Sequence, residues 1–168
     1  FQWYSKRKSI FDVNMKKIYN FAGNLSYRNY TIKDLFDNKG KKKISQINVK
    51  NEEETNIALD AKVDLLITGL AAIKKVRSIA KNNFITVAIP FTEFKTNDEI
   101  LKASLEALDN GADAIYTARS PRVVEYLAKE SIPVMAHLGL VPRKSIWIGG
   151  LRGVGTVSYT HLTLPTMS

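Results

Sequence analysis

The sequence predicts an α/β protein built on a parallel sheet. Five short apolar, β-branched runs (residues 44–49, 64–68, 85–89, 113–117 and 133–137) begin 20, 21, 28 and 20 residues apart. Each gap between them carries a helical pattern with its own start signal. Buried strands alternating with helices of this length are joined by right-handed crossovers, which lay successive strands parallel. Four βα units and a fifth strand suit either an open doubly wound sheet or the first part of an eight-stranded barrel; periodicity does not separate the two.

The helices are marked residue by residue. Asn51 caps the first of the four, with Glu54 three residues on. Thr96 and Glu99 form a T-x-x-E capping box before Ile100, Leu101, Ser104, Leu105 and Leu108, a face of helical period. Asn110-Gly111 closes that helix, glycine supplying the left-handed position after the cap. Ser120 places a capping hydroxyl ahead of Pro121 at the first helical position, before Val123, Val124 and Leu127.

Composition narrows the class. With 168 residues the chain is one domain of ordinary size or part of a larger one. No apolar run approaches the roughly 18 residues of a membrane span, and no charged start leads into a secretory apolar segment. The absence of cysteine removes any disulfide frame or Cys-based zinc or redox site, and a reducing cytoplasm fits.

The net charge of +9 is unevenly placed. Residues 1–43 carry 11 basic and three acidic residues, and the remaining 125 carry 14 and 13. Residues 1–30 also hold eight of the sixteen aromatics, Phe1, Trp3, Tyr4, Phe11, Tyr19, Phe21, Tyr27 and Tyr30. Basic and aromatic residues together suit a single nucleic-acid strand, but a charge run more often marks a solvated segment packed on its own domain, so a nucleic-acid partner ranks last. At the other end, residues 157–166 read VSYTHLTLPT, which is what a common transposase sequencing adapter gives when translated in one frame. Together with a start at Phe1 rather than Met, this predicts a chain with native sequence missing at both ends and a non-native tail over residues 157–168, which removes His161 from consideration.

In either α/β architecture the chemistry sits at the carboxyl ends of the strands. There, Arg119-Ser120-Pro121 joins a guanidinium, a hydroxyl and free backbone N–H groups where a strand gives way to a helix, a seat for a carboxylate or phosphate. His137 ends the last strand, placed as a general base or a carbonyl-polarising donor, or as a plain structural histidine. Gly149-Gly150-Leu151-Arg152-Gly153 fits neither the P-loop nor the dinucleotide fingerprint. Only Glu93 is a convenient acid at these ends, and a divalent cation wants two or more.

The run SIPVMAHLGLVPR at residues 131–143, continuing to Gly149-Gly150, resembles the ketopantoate (3-methyl-2-oxobutanoate) hydroxymethyltransferase family, where IPV-x-GHLGL-x-PQ is followed by a GG-x-x-x-x-G loop. Weaker similarity reaches back over residues 31–43, 63–69, 88–91 and 110–113. The resemblance implies the N-terminal part of a (β/α)8 TIM barrel, about five parallel strands over residues 31–156, preceded by a basic aromatic arm over residues 1–30. It also implies a cytoplasmic homo-oligomer of pantothenate biosynthesis that transfers a one-carbon unit from methylenetetrahydrofolate to a small 2-oxo acid, with Mg²⁺ chelating that acid. The family takes its metal ligands from VGDS, D-x-PF and K-x-EG. The matching positions here are Leu70, Ala88 and Ala118, with Tyr116 at the lysine position, so the sequence offers Mg²⁺ no ligand. The stretch between the second and third strands is shorter than in the family, and the family's catalytic Glu belongs to the second half of the barrel. The resemblance makes His137 the catalytic candidate; Arg119, Ser120 and Arg143, at adjacent strand ends, are expected to bind the substrate carboxylate without metal. The alternative is a non-catalytic or re-purposed paralogue that binds a small carboxylate.

Overall fold

The structure, a computed structural model, describes residues 15–153. It opens on an antiparallel hairpin, β1 (Lys16–Tyr19) and β2 (Leu25–Arg28), followed by α1 (Ile32–Asp37). Five parallel strands then alternate with four helices: β3 (Gln46–Asn48), α2 (Glu52–Asp60), β4 (Leu65–Gly69), α3 (Ile73–Ile79), β5 (Phe84–Ala88), α4 (Asn97–Asp109), β6 (Ala114–Thr117), α5 (Pro121–Lys129) and β7 (Val134–Ala136). A 3-10 turn (Pro142–Lys144) and the short α6 (Ser145–Ile148) follow.

The order across the sheet is β3-β4-β5-β6-β7. Each crossover therefore steps one strand in the same direction, without the reversal of a doubly wound sheet, and a constant crossover hand puts all the helices on one side. The packing agrees. Leu66, Ile85, Val87 and Ile115 meet Ala58, Ile73, Val76, Ile100, Ala103, Ala107, Val123 and Leu127 from α2 to α5 in one buried cluster. This is the layering of a segment of a (β/α)8 barrel, and it decides between the two architectures that periodicity left open.

Side chains alternate along a strand, so the residues between those positions face the other way. Leu65, Phe84 and Ala114 form a separate small cluster, covered by Tyr30, Leu35 and Ile44. In register above it lies the row Gly69, Ala88, Tyr116 and Met135, at the carboxyl ends of β4 to β7.

Two helix starts follow the sequence, while α3 begins from Ala72 with no side-chain cap and α5 departs from expectation. Asn51 Oδ1 accepts from the Glu54 N–H at 2.9 Å, and Thr96 and Glu99 form the full capping box. Ser120 is the N-cap of α5, but its hydroxyl makes no capping bond. The Val123 and Val124 N–H groups instead donate to the Ser120 carbonyl oxygen at 2.9 and 3.1 Å, so the backbone already satisfies the donors the hydroxyl would have served. Gly111 takes φ +97, and a Cβ there would stand 2.8 Å from Arg77 Cγ, so glycine is required twice over.

The hairpin is the element that sequence periodicity does not mark. Its strands are four residues each, too short to show a pattern, and its turn is set by the Asn24 N–H donating to Asn20 Oδ1 at 2.8 Å and by Gly23 at φ +77. Arg28 and Asn29 fasten it under the sheet. Arg28 Nε donates to Asp113 Oδ1 at 2.7 Å, and Asn29 bridges the Asp64 carbonyl oxygen and the Phe84 N–H at 2.6 and 2.8 Å. Residues 1–14 of the arm, and the tail read as a translated adapter, lie outside the described residues.

Candidate functional site

The carboxyl ends of β6 and β7 feed a cavity of about 470 Å³, walled by Arg119, Ser120, Pro121, His137, Leu138, Val141, Arg143, Lys144 and Trp147. All four residues singled out from the sequence, Arg119, Ser120, His137 and Arg143, stand in this one wall. They come together because β6 and β7 are paired neighbours, so the turn after each strand opens on the same side.

Arg119 is held at both ends. Its backbone N–H donates to Thr117 Oγ1 at 3.2 Å, and Nη1 donates to the Phe94 and Lys95 carbonyl oxygens at 3.3 and 2.8 Å. Nε and Nη2 have no partner among the described residues, so the guanidinium is anchored yet keeps donors for a ligand. Arg143 lies over the Phe91 ring, with Cζ 4.8 Å from the centroid, a cation–π contact that ties the β5–α4 loop to the turn after β7. His137 is fixed through its backbone, whose N–H donates to the Thr117 carbonyl oxygen at 3.0 Å. Its ring lies 5.8 Å from the Tyr116 ring at an interplanar angle of 30°. Among the described residues three cations and no carboxylate line the wall, which favours an anion.

The metal that the resemblance implies finds no seat. Leu70, Ala88 and Ala118 stand at the ends of β4, β5 and β6 with no donor atom in their side chains, and Leu70 packs against the main core instead. Among the described residues no group of three or more His, Cys, Asp or Glu is placed to share an ion. Thr86 Oγ1, on the same face and buried without a partner, is a single neutral oxygen. These residues do not fit Mg²⁺, which needs clustered carboxylates.

Lys144 and Trp147 complete the wall and were not marked by the sequence. They enter through the 3-10 turn and α6, elements too short to carry periodicity. Phe91 follows β5, and its stack under Arg143 depends on a pairing 52 residues away that leaves no local signal.

Among the described residues no helix is long and apolar enough to cross a membrane. A profile of ketopantoate hydroxymethyltransferase matches residues 51–164, the greater part of the chain. Similar proteins include the 3-methyl-2-oxobutanoate hydroxymethyltransferases of Kosmotoga olearia and Metallosphaera sedula, each 27% identical over 149 residues. These matches cover 74% of this chain, and 56% and 57% of the two relatives. The enzyme of the same name from Pyrobaculum islandicum is 41% identical over 81 residues, 45% of this chain and 31% of its own. The chain thus spans little more than half the length of the relatives it matches most extensively. On the extent of the profile match, the chain belongs to the ketopantoate hydroxymethyltransferase family.

Proposed function

We propose that the cavity after β6 and β7 binds the carboxylate of a small 2-oxo acid and serves a hydroxymethyl transfer of the kind named for the relatives. The observation that carries this reading is the convergence of Arg119, His137 and Arg143 on one space whose wall contains no acid. Nε and Nη2 of Arg119 and the guanidinium of Arg143 supply charge-assisted donors to the carboxylate, with the exposed Ser120 hydroxyl as a further donor. His137 polarises the oxo group and stabilises the charge that develops on its oxygen when the neighbouring carbon becomes a nucleophile. Water releases the one-carbon unit of methylenetetrahydrofolate as formaldehyde, both methylene C–N bonds breaking and tetrahydrofolate leaving; the carbon gives its proton to water and bonds the formaldehyde carbon, whose oxygen takes up a proton to become the new hydroxyl. Nothing in this scheme passes through Mg²⁺. The family also supplies the remaining parts of the reading: a cytoplasmic homo-oligomer acting in pantothenate biosynthesis.

A second reading has its own support. Leu70, Ala88 and Ala118 together remove the donors on three adjacent strands, which suits a paralogue that binds a small carboxylate without turning it over. Calorimetry with 3-methyl-2-oxobutanoate in chelator, on the chain and on its Arg119→Ala/Arg143→Ala variant, tests what both readings share. Affinity is expected to fall more than about tenfold in the variant, since each lost pairing of an arginine with a carboxylate is worth about 1.5–3 kcal/mol. Tight binding retained by the double variant refutes the proposal. Product formed from methylenetetrahydrofolate in the same chelated buffer separates the enzyme from the binding paralogue.

A further inference from the structure

We infer that Tyr116, whose ring neighbours that of His137 in the cavity wall, is a ligand-recognition residue, donating a hydrogen bond to the same oxo oxygen that His137 polarises. The inference rests on the 2-oxo-acid reading above and adds to it a way of choosing 2-oxo acids without a metal. The row Gly69, Ala88, Tyr116 and Met135 crosses the mouth of four paired strands in register, and Tyr116 is its one hydrogen-bonding side chain. Its phenol is half-buried and makes no hydrogen bond to any described residue. The His137 ring makes none to a described residue either, and the two ring centroids sit 5.8 Å apart at 30°.

The space above the row is open. A Cβ built on Gly69 meets nothing within 4 Å, and Ala88, directly beside Tyr116 in register, ends at its own Cβ. A half-buried phenol with no partner among the described residues, at a strand mouth beside a cationic cavity, has its donor available for a bound group. A ketone oxygen has two lone pairs and accepts two such bonds, one from the phenol and one from an imidazole N–H. The carboxylate two atoms away then falls to the guanidinium groups of Arg119 and Arg143, and the short apolar chain to Leu138 and Val141. The ligand class is a short-chain 2-oxo monocarboxylate, distinguished from a plain carboxylate of the same shape by the Tyr116–His137 pair.

The test compares 3-methyl-2-oxobutanoate with 3-methylbutanoate, which lacks the oxo oxygen, by calorimetry in chelator on the wild-type chain, Tyr116→Phe and Arg143→Ala. Tyr116→Phe keeps the ring and its contact with His137, and a circular-dichroism melt checks that the fold is unchanged. The wild type is expected to prefer the oxo acid by about tenfold. Tyr116→Phe is expected to lose about three- to tenfold of that preference, the worth of one neutral hydrogen bond, while binding the plain acid as before. Arg143→Ala is expected to weaken both acids and keep the preference. A full preference in Tyr116→Phe, or equal wild-type binding of both acids, overturns the inference and leaves the carboxylate site standing. Failure of the wild type to bind either acid overturns the 2-oxo-acid reading and this inference with it.

Discussion

At the amino ends of β4 and β6, Asp64 and Asp113 are surrounded by donors; at the carboxyl ends of β6 and β7, Tyr116, Arg119, Ser120 and His137 have donors to spare. Asp113 takes Arg28 Nε and Arg77 Nη2 at 2.7 and 2.6 Å and the Ile85 N–H at 2.9 Å. Arg77 spends its remaining groups on the Gly111, Ala80 and Asn83 carbonyl oxygens at 2.7, 2.9 and 2.8 Å. Asp64 takes the Ser45 N–H and hydroxyl, both at 2.9 Å, and the Tyr30 hydroxyl at 3.0 Å. For Asp113 and its two arginines the difference follows from burial. Arg28 is 4% exposed, and an ion so far from water must be matched in full. The mouth groups stay in contact with solvent, so water can serve them until a ligand replaces it. One end of the sheet is wired for stability and the other is kept open for binding.

The largest effect that would break this contrast belongs to Asp113. Burial pulls the Arg77 guanidinium down to about 10, the pairing with Asp113 works against that pull, and the charge of Arg28 adds to it. Asp113→Ala strands two guanidinium groups and is expected to cost about 3–5 kcal/mol in urea denaturation, the range for removing one partner of a buried pair. His137→Ala at the mouth, whose ring makes no hydrogen bond to a described residue, is expected to cost under about 1 kcal/mol. Comparable losses for the two variants would erase the distinction.

The sequence made the two regions unequally legible. The strands and their helices declare themselves through local period and caps, and strand ends point to Arg119, Ser120, His137 and Arg143 because a parallel α/β sheet collects function there. The lower lock left no such mark. Arg28 and Asp113 are 85 residues apart, Arg77 and Asp113 are 36 apart, and each looks like an ordinary surface charge in its own neighbourhood. The basic excess of residues 1–43 reads as solvated charge; one of its members, Arg28, is instead the buried fastening of the hairpin. Tyr116 was legible only as a departure from the family's lysine, since its freedom from hydrogen bonds depends on what surrounds it in space.

A middle-sized effect sharpens the comparison through pH. Burial pushes the Asp64 carboxyl up, but the Ser45 N–H and hydroxyl, the Tyr30 hydroxyl and the charge of Lys42 outweigh it and hold the group below its ordinary value. A carboxyl depressed on folding lends stability above its unfolded value of about 3.9 and loses it as pH falls through the folded value. Asp64→Asn is therefore expected to be about 1.5–3 kcal/mol less stable at pH 7, the range for hydrogen bonds to a charged group. Below about pH 4 the gap in melting temperature is expected to close, because only the wild type has this proton left to take up. A gap that stays constant down to pH 3 would show that Asp64 acts by shape and not by charge.

The smallest effect separates two helix caps that look alike in the sequence. Thr96 Oγ1 accepts from the Glu99 N–H at 3.2 Å, and Glu99 returns the bond to the Thr96 N–H at 2.9 Å, so both side chains are committed to the start of α4. The Ser120 hydroxyl caps nothing, because the backbone oxygen of the same residue takes the Val123 and Val124 N–H groups. Thr96→Ala is expected to lower stability by about 1 kcal/mol, the usual worth of a cap, and to leave 2-oxo-acid affinity unchanged. Ser120→Ala is expected to leave stability within about 0.5 kcal/mol and to weaken the carboxylate about threefold, the share of one neutral donor. Denaturation and calorimetry on the two variants read both quantities, and a Ser120→Ala that loses stability but not affinity would move this hydroxyl from the binding end of the comparison to the structural one.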